Sequence, residues 1–135
     1  MKLSEAIRLG PTIAPAIYGP VFRRDWLGNV CGACRAGATA IAAGYTPNRT
    51  GINDWYAVDL FIEEQWPWTV KLKRHYPFTI SAANGLALLH EVSRWSVDQI
   101  ADYVEKLEAY YKPYPVTIDV TPHAVDATAQ LQEVQ

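Results

Sequence analysis

Cysteine is scarce: only Cys31 and Cys34 occur among 135 residues, too few for a disulfide-stapled scaffold, and in a reducing compartment both stay thiols. Long apolar runs are lacking as well. No stretch approaches the roughly 18 apolar residues that a membrane span needs; the longest candidate, residues 30–45, is interrupted by Arg35 and rich in Gly and Ala. Charge leans strongly to neither sign. Twelve Lys and Arg against fourteen Asp and Glu give a formal net charge of -2, so no broad positive field recruits polyanions and a dedicated duplex-DNA binder is disfavoured. The opening Met1-Lys2-Leu3-Ser4-Glu5 carries charge where a signal peptide has its apolar stretch, so no export, no membrane partner and a cytoplasmic location are expected. A Gly-rich phosphate loop, a GxSxG elbow and an HExxH helix are also missing, which leaves enzymatic activity without a recognisable motif.

What the chain does have is apolar bulk. Half of its residues are hydrophobic, and five Trp, eight Tyr and three Phe supply the material of a packed core, which argues against disorder over most of the length. The size suits one domain. The reading is a mainly α fold, a compact bundle of five or six helices with room for a small two-stranded β-ribbon. Residues 1–121 are assigned to a single helical domain, and 122–135 to a C-terminal helix or tail that docks on the domain or on a partner.

Ser4 suits the N-cap of a short first helix that turns Leu3, Ala6 and Ile7 inward, and Gly10-Pro11 is expected to stop it. Prolines at 11, 15 and 20, with Gly19 and Gly28, predict an ordered loop over residues 11–29. Residues 30–43 are Ala-rich and precede Gly44, the pattern of a helix whose small side chains let another helix approach closely. Asn53 or Asp54 can cap the next helix, which Pro67 ends. Trp68, Val70 and Leu72 alternate with polar residues, as do Val116, Ile118 and Val120, so two strands pairing as a ribbon are expected. Thr79 or Ser81 begins a helix predicted to reach Trp95. Ser96 and Gln99 then form a capping box for a long helix striped by Val97, Ile100, Val104, Leu107 and Tyr111. Thr121-Pro122 opens the terminal helix, where Ala124, Ala127, Leu131 and Val134 repeat at helical spacing.

The sharpest chemical motif is Cys31-Gly32-Ala33-Cys34-Arg35. Two thiols three apart at a helix start suit disulfide exchange, or half of a zinc site completed by His75, His90 or His123. The competing reading is a pair of reduced thiols packed in a helix. A second candidate is the segment from Trp66 to Tyr76, where Trp68, Lys71, Lys73, Arg74 and Tyr76 interleave rings with cations, as single-stranded nucleic-acid binders do. Its competing reading puts the Trp residues in the core and the cations on a solvated face. Ser96 to Val104 resembles the first helix of a helix-turn-helix, but Glu105-Lys106-Leu107-Glu108 continues it without a turn. The carboxylates at 63, 64, 98, 102, 105 and 108 fall on ordinary amphipathic faces.

Lys2-Leu3-Ser4-Glu5-Ala6-Ile7-Arg8-Leu9-Gly10, the small-residue segment from Cys31, and His90 followed by the run from Arg94 to Glu105 resemble a group of small uncharacterised proteins of bacteria, phages and prophages. The resemblance covers about a third of the chain and carries no functional residue with it; what it implies is a phage or mobile-element setting. With no catalytic motif in view, the expected role is a binding or interaction protein without catalytic activity and without a cofactor. Its partner is expected to be a protein or a second copy in a homo-oligomer. A zinc or thiol-redox protein and a single-stranded nucleic-acid binder stand as the alternatives.

Overall fold

The computed structural model describes residues 1–111. The chain is mainly α. Six helical segments accompany one small antiparallel ribbon among the described residues. The expected strand at 116–120, the expected terminal helix at 122–135 and His123 lie outside them.

The first helix, α1 (Leu3–Ile13), buries Leu3, Ala6, Ile7 and Gly10, the i, i+3, i+4, i+7 spacing of a single helical face. Ser4 is not its cap. Lys2 holds the N-cap position and Ser4 is itself buried in the first turn. The free N–H groups of Leu3 and Ser4 instead donate to the two oxygens of Glu108, at 3.0 and 3.2 Å. Glu108 is only 6% exposed; the two charge-assisted bonds and the positive end of the helix dipole offset the cost of burying its carboxylate. The helix also runs through Gly10-Pro11 rather than stopping there. Pro11 lies in the last turn, where its missing N–H costs one bond, and the Ala14 N–H still closes on the Gly10 carbonyl at 2.9 Å.

Residues 30–43 are not one helix. Val30–Ala33 form β2, which pairs antiparallel with β1 (Phe22–Arg24), and only Arg35–Ala42 continue as α2. Gly32 explains the break. A Cβ there would lie 2.8 Å from Ile17 and 3.3 Å from the Pro15 carbonyl, so the chain needs glycine where the Pro15–Ile17 backbone crosses the ribbon. That crossing bonds the Ile17 N–H to the Ala33 carbonyl and the Ala33 N–H to the Pro15 carbonyl, both at 3.0 Å. The ribbon therefore takes one strand from the segment expected to be loop and the other from the start of the expected helix.

Helix α2 is the centre of the packing. Its Arg35, Ala36, Gly37, Ala38, Thr39 and Ala40 are all buried, and α1, α3 and α4 lie against it. At Gly10 a Cβ would meet the Ala38 backbone at 2.9 Å, so α1 and α2 approach as closely as the small residues of both allow.

Helix α3 (Asp54–Gln65) turns Val58 and Ile62 inward. Residues 68–73, expected as a strand, lie within a 3₁₀ segment, Pro67–Arg74. Pro67 presets a helical φ, and Thr69 bonds the Trp66 carbonyl through both its N–H at 2.9 Å and its hydroxyl at 2.7 Å. The outcome reads directly from burial: Thr69 is buried and Val70 is 49% exposed, the reverse of an alternating strand. Ser81 caps α4 (Ala82–Glu91) by accepting the Asn84 N–H at 3.1 Å, but that helix ends four residues before Trp95. Ser96 and Gln99 form the reciprocal cap of α5 (Val97–Tyr111) at 2.8 and 3.1 Å.

The ring of Phe78 lies on Gly85, where a Cβ would come within 2.0 Å of Phe78 Cδ1. Alanine would gain about 1 kcal/mol of helix propensity at this site. Overpacking against a ring that is 1% exposed costs about 1–3 kcal/mol, and the overlap is deep enough to put the cost at the upper end. Gly85→Ala is therefore expected to lower stability by about 1–2 kcal/mol, read as a lower urea midpoint at unchanged slope. A stabilised variant would show that Phe78 has room to move.

Candidate functional site

The two cysteines do not share a helix. Cys31 lies exposed in β2, and Cys34 is buried at the N-cap of α2, where its Sγ accepts the Gly37 N–H at 3.4 Å. Burial pushes the Cys34 thiol above its ordinary pKa, and the helix N–H groups of Gly37 and Ala36 pull it back by less. A reactive cysteine needs the opposite, a stabilised thiolate open to solvent. Cys34 is in its place a neutral cap, and Cys31 is the accessible thiol.

No group of three or more His, Cys, Asp or Glu that could hold a metal ion occurs among the described residues. Of the histidines considered as zinc ligands, His75 pairs through Nε2 with the Tyr111 hydroxyl, and His90 pairs with Arg35. Neither faces the thiols as a free ligand.

In the segment from Trp66 to Tyr76, Trp68 is 8% exposed and packs in the core. Lys71, Lys73 and Arg74 are exposed, with Lys73 Nζ 3.5 Å from the Glu63 carboxylate. Tyr76 is 72% exposed. The fold thus keeps the cations and one ring at the surface and withdraws the indole that was expected to stack on bases.

The densest polar constellation is one that the sequence reading named only in part. Arg35, the first residue of α2, is 5% exposed. Its Nη2 donates to His90 Nδ1 at 3.2 Å, so His90 carries its proton on Nε2, which donates to the Ile17 carbonyl at 3.3 Å. Burial and the Arg35 charge both push the His90 pKa below its ordinary value, in keeping with a neutral ring. The Tyr18 ring stacks on His90 with centroids 4.5 Å apart, and the Arg94 guanidinium sits 4.2 Å from the Tyr18 ring centre. Glu91 accepts the Gly19 N–H at 2.7 Å. Segment 17–19 is thereby strapped across the end of α4. A signal for this site was present in the sequence: a lone arginine inside an otherwise small and apolar run.

A second feature is a surface. The turn after β1 carries Trp26 at 91% and Leu27 at 58% exposure, while Ile52 and Tyr56 stand at 66% and 67%. Asp25 accepts the N–H groups of Leu27 and Asn29, both at 2.9 Å. Arg24 Nη2 bonds both oxygens of Asp54 at 2.9 and 3.0 Å. The hairpin tip is thus tied to the start of α3, and Trp26 projects from a braced turn.

No protein-family model, no curated protein and no solved structure matches this chain.

Two outcomes follow from the cysteine and histidine environments. A thiol reagent added to the native protein should modify the exposed Cys31 and reach Cys34 only on unfolding; native labelling of both would mean that the start of α2 opens. His90 has a folded pKa below its unfolded value near 6.5, so the native state binds fewer protons than the unfolded one. Stability should then be full above about pH 6.5 and fall as the pH drops from there toward the folded pKa. Denaturant midpoints from about pH 8 to 5 should decline less steeply in His90→Gln than in the wild type.

Proposed function

We propose that the chain is a binding protein without catalytic activity that associates with a second copy of itself through the face formed by the hairpin tip and the start of α3. The observation that carries this reading is Trp26, 91% exposed on a turn braced by Asp25 and by the Arg24–Asp54 pair. Tryptophan is among the residues most concentrated in the energetic centres of interfaces, and a ring held in place before binding loses little entropy on docking. Leu27, Ile52 and Tyr56 supply apolar surroundings. A two-fold pair needs only one such patch, since an isologous interface is self-complementary. The resemblance to phage and prophage proteins supports a setting in the cytoplasm of a bacterial or phage-infected cell.

A second reading, single-stranded nucleic-acid binding, draws on the exposure of Lys71, Lys73, Arg74 and Tyr76. It is weakened by the burial of Trp68, which leaves Tyr76 as the exposed ring of that segment.

Sedimentation of the full chain across concentrations, wild type beside Trp26→Ala, tests the first reading. The expected result is a concentration-dependent dimer whose dissociation constant rises about thirtyfold or more in the variant, with an unchanged circular dichroism spectrum. A wild type that stays monomeric throughout, or a dimer indifferent to Trp26→Ala, overturns it.

A further inference from the structure

The guanidinium of Arg35 is the unexplained group of this fold. It is 5% exposed, it cannot shed its proton, and of its three nitrogens only Nη2 has a bond, to a neutral histidine. Nε and Nη1 are buried without a hydrogen-bond acceptor among the described residues. Among the described residues no carboxylate pairs with it. Glu91, on the neighbouring α4, is engaged by the Gly19 N–H. A buried cation left in this state is strongly unfavourable unless an opposite charge reaches it.

We propose that Arg35 binds a small oxyanion of the phosphate or carboxylate class at the junction of α2, His90 and the strap at residues 17–19. Nε and Nη1 donate to its oxygens, while His90 orients the guanidinium through Nη2. The backbone of α2 adds only the field of its N-terminus, because the Gly37 N–H is directed at Cys34 Sγ. Arg94, whose guanidinium lies over the Tyr18 ring, adds a second positive charge beside the strap. Tyr18 is 53% exposed, and its neighbour Gly19 has φ +101 with nothing within 4 Å of where a Cβ would stand. Entry of the anion requires the outer part of the strap, Tyr18 and Gly19, to lift away from Glu91 while Ile17 stays bonded to Ala33. The same oxyanion chemistry has two sources, a free anion or a carboxylate from residues 112–135, which include Asp119, Asp126 and Glu133.

The test titrates the full-length protein with inorganic phosphate and, separately, acetate, each at ionic strength held constant with sodium chloride. It reads the melting temperature and the His90 ring signals by nuclear magnetic resonance. A saturable rise in melting temperature together with a saturable His90 shift is expected for at least one anion. In Arg35→Met the affinity should fall about tenfold or more, the worth of a charge-assisted hydrogen bond. The anion-free variant should be no less stable than the wild type, because an unpaired buried charge has been removed. Should Arg35→Met not fold, the wild-type titration still decides. No anion-specific shift at His90 in the wild type overturns free-anion binding. In that case, a His90 shift produced by replacing Asp119, Asp126 and Glu133 with their amides assigns the oxyanion to the chain itself. No response to either change overturns the proposal.

Discussion

The close approach of α1 to α2, set by Gly10 against Ala38, is the constraint around which the other elements take their places. Two helix backbones come this near only where neither carries a bulky side chain at the crossing, and α2 is built almost wholly of such residues. Because α2 is small on its inner faces, α3 and α4 also pack directly on it. The large rings are buried on the other elements: Trp66 reaches the Met1 carbonyl at 3.0 Å, and Phe78 covers Gly85. Helix α5 closes the arrangement from the far side. Its Glu108 satisfies the N-terminal amides of α1, and its outer surface meets Arg8 through Asp102 and Glu105. The buried contact matters more than the exposed one, because leaving two enclosed N–H groups unpaired costs more than losing a solvated ion pair.

The same economy of side chains brings Arg35 inside. A helix that starts directly after β2 and buries its first six residues has no solvated position for Arg35. The arginine is therefore enclosed against His90 and Ile17 rather than extended into water. Tyr18 meets both His90 and the Arg94 guanidinium through its ring. The exposed hairpin tip is a separate feature, joined to α3 through Arg24 and Asp54. An inner polar cluster and an outer aromatic face thus occupy different parts of the molecule and need not serve the same event.

Much of the helical framework was legible from local pattern. The Ser96 and Gln99 capping box, the stripe of α5, the Ser81 cap and the helix before Pro67 depend on contacts a few residues apart, and such short-range chemistry is visible in sequence. The errors fall where a distant contact outweighed a local signal. Ser4 looked like a cap, but Glu108, more than a hundred residues away, took its role. Gly10-Pro11 looked like a stop, whereas the glycine serves a helix crossing. Trp68, Val70 and Leu72 alternated like a strand, but Pro67 and Thr69 set a tight turn that buries Thr69 and exposes Val70.

The sequence by itself determined that this is a mainly helical chain with enough apolar bulk for one core. It also marked residues that carry reactive chemistry: two cysteines and a few histidines. Only the tertiary structure decided which of these meet. It separated Cys31 from Cys34 by placing one on a strand and the other at a helix cap, withdrew Trp68 from the surface, and joined Arg35 to His90 across 55 positions. Local propensity acts over one or two turns of chain, while burial and charge pairing are settled by whatever the fold brings alongside.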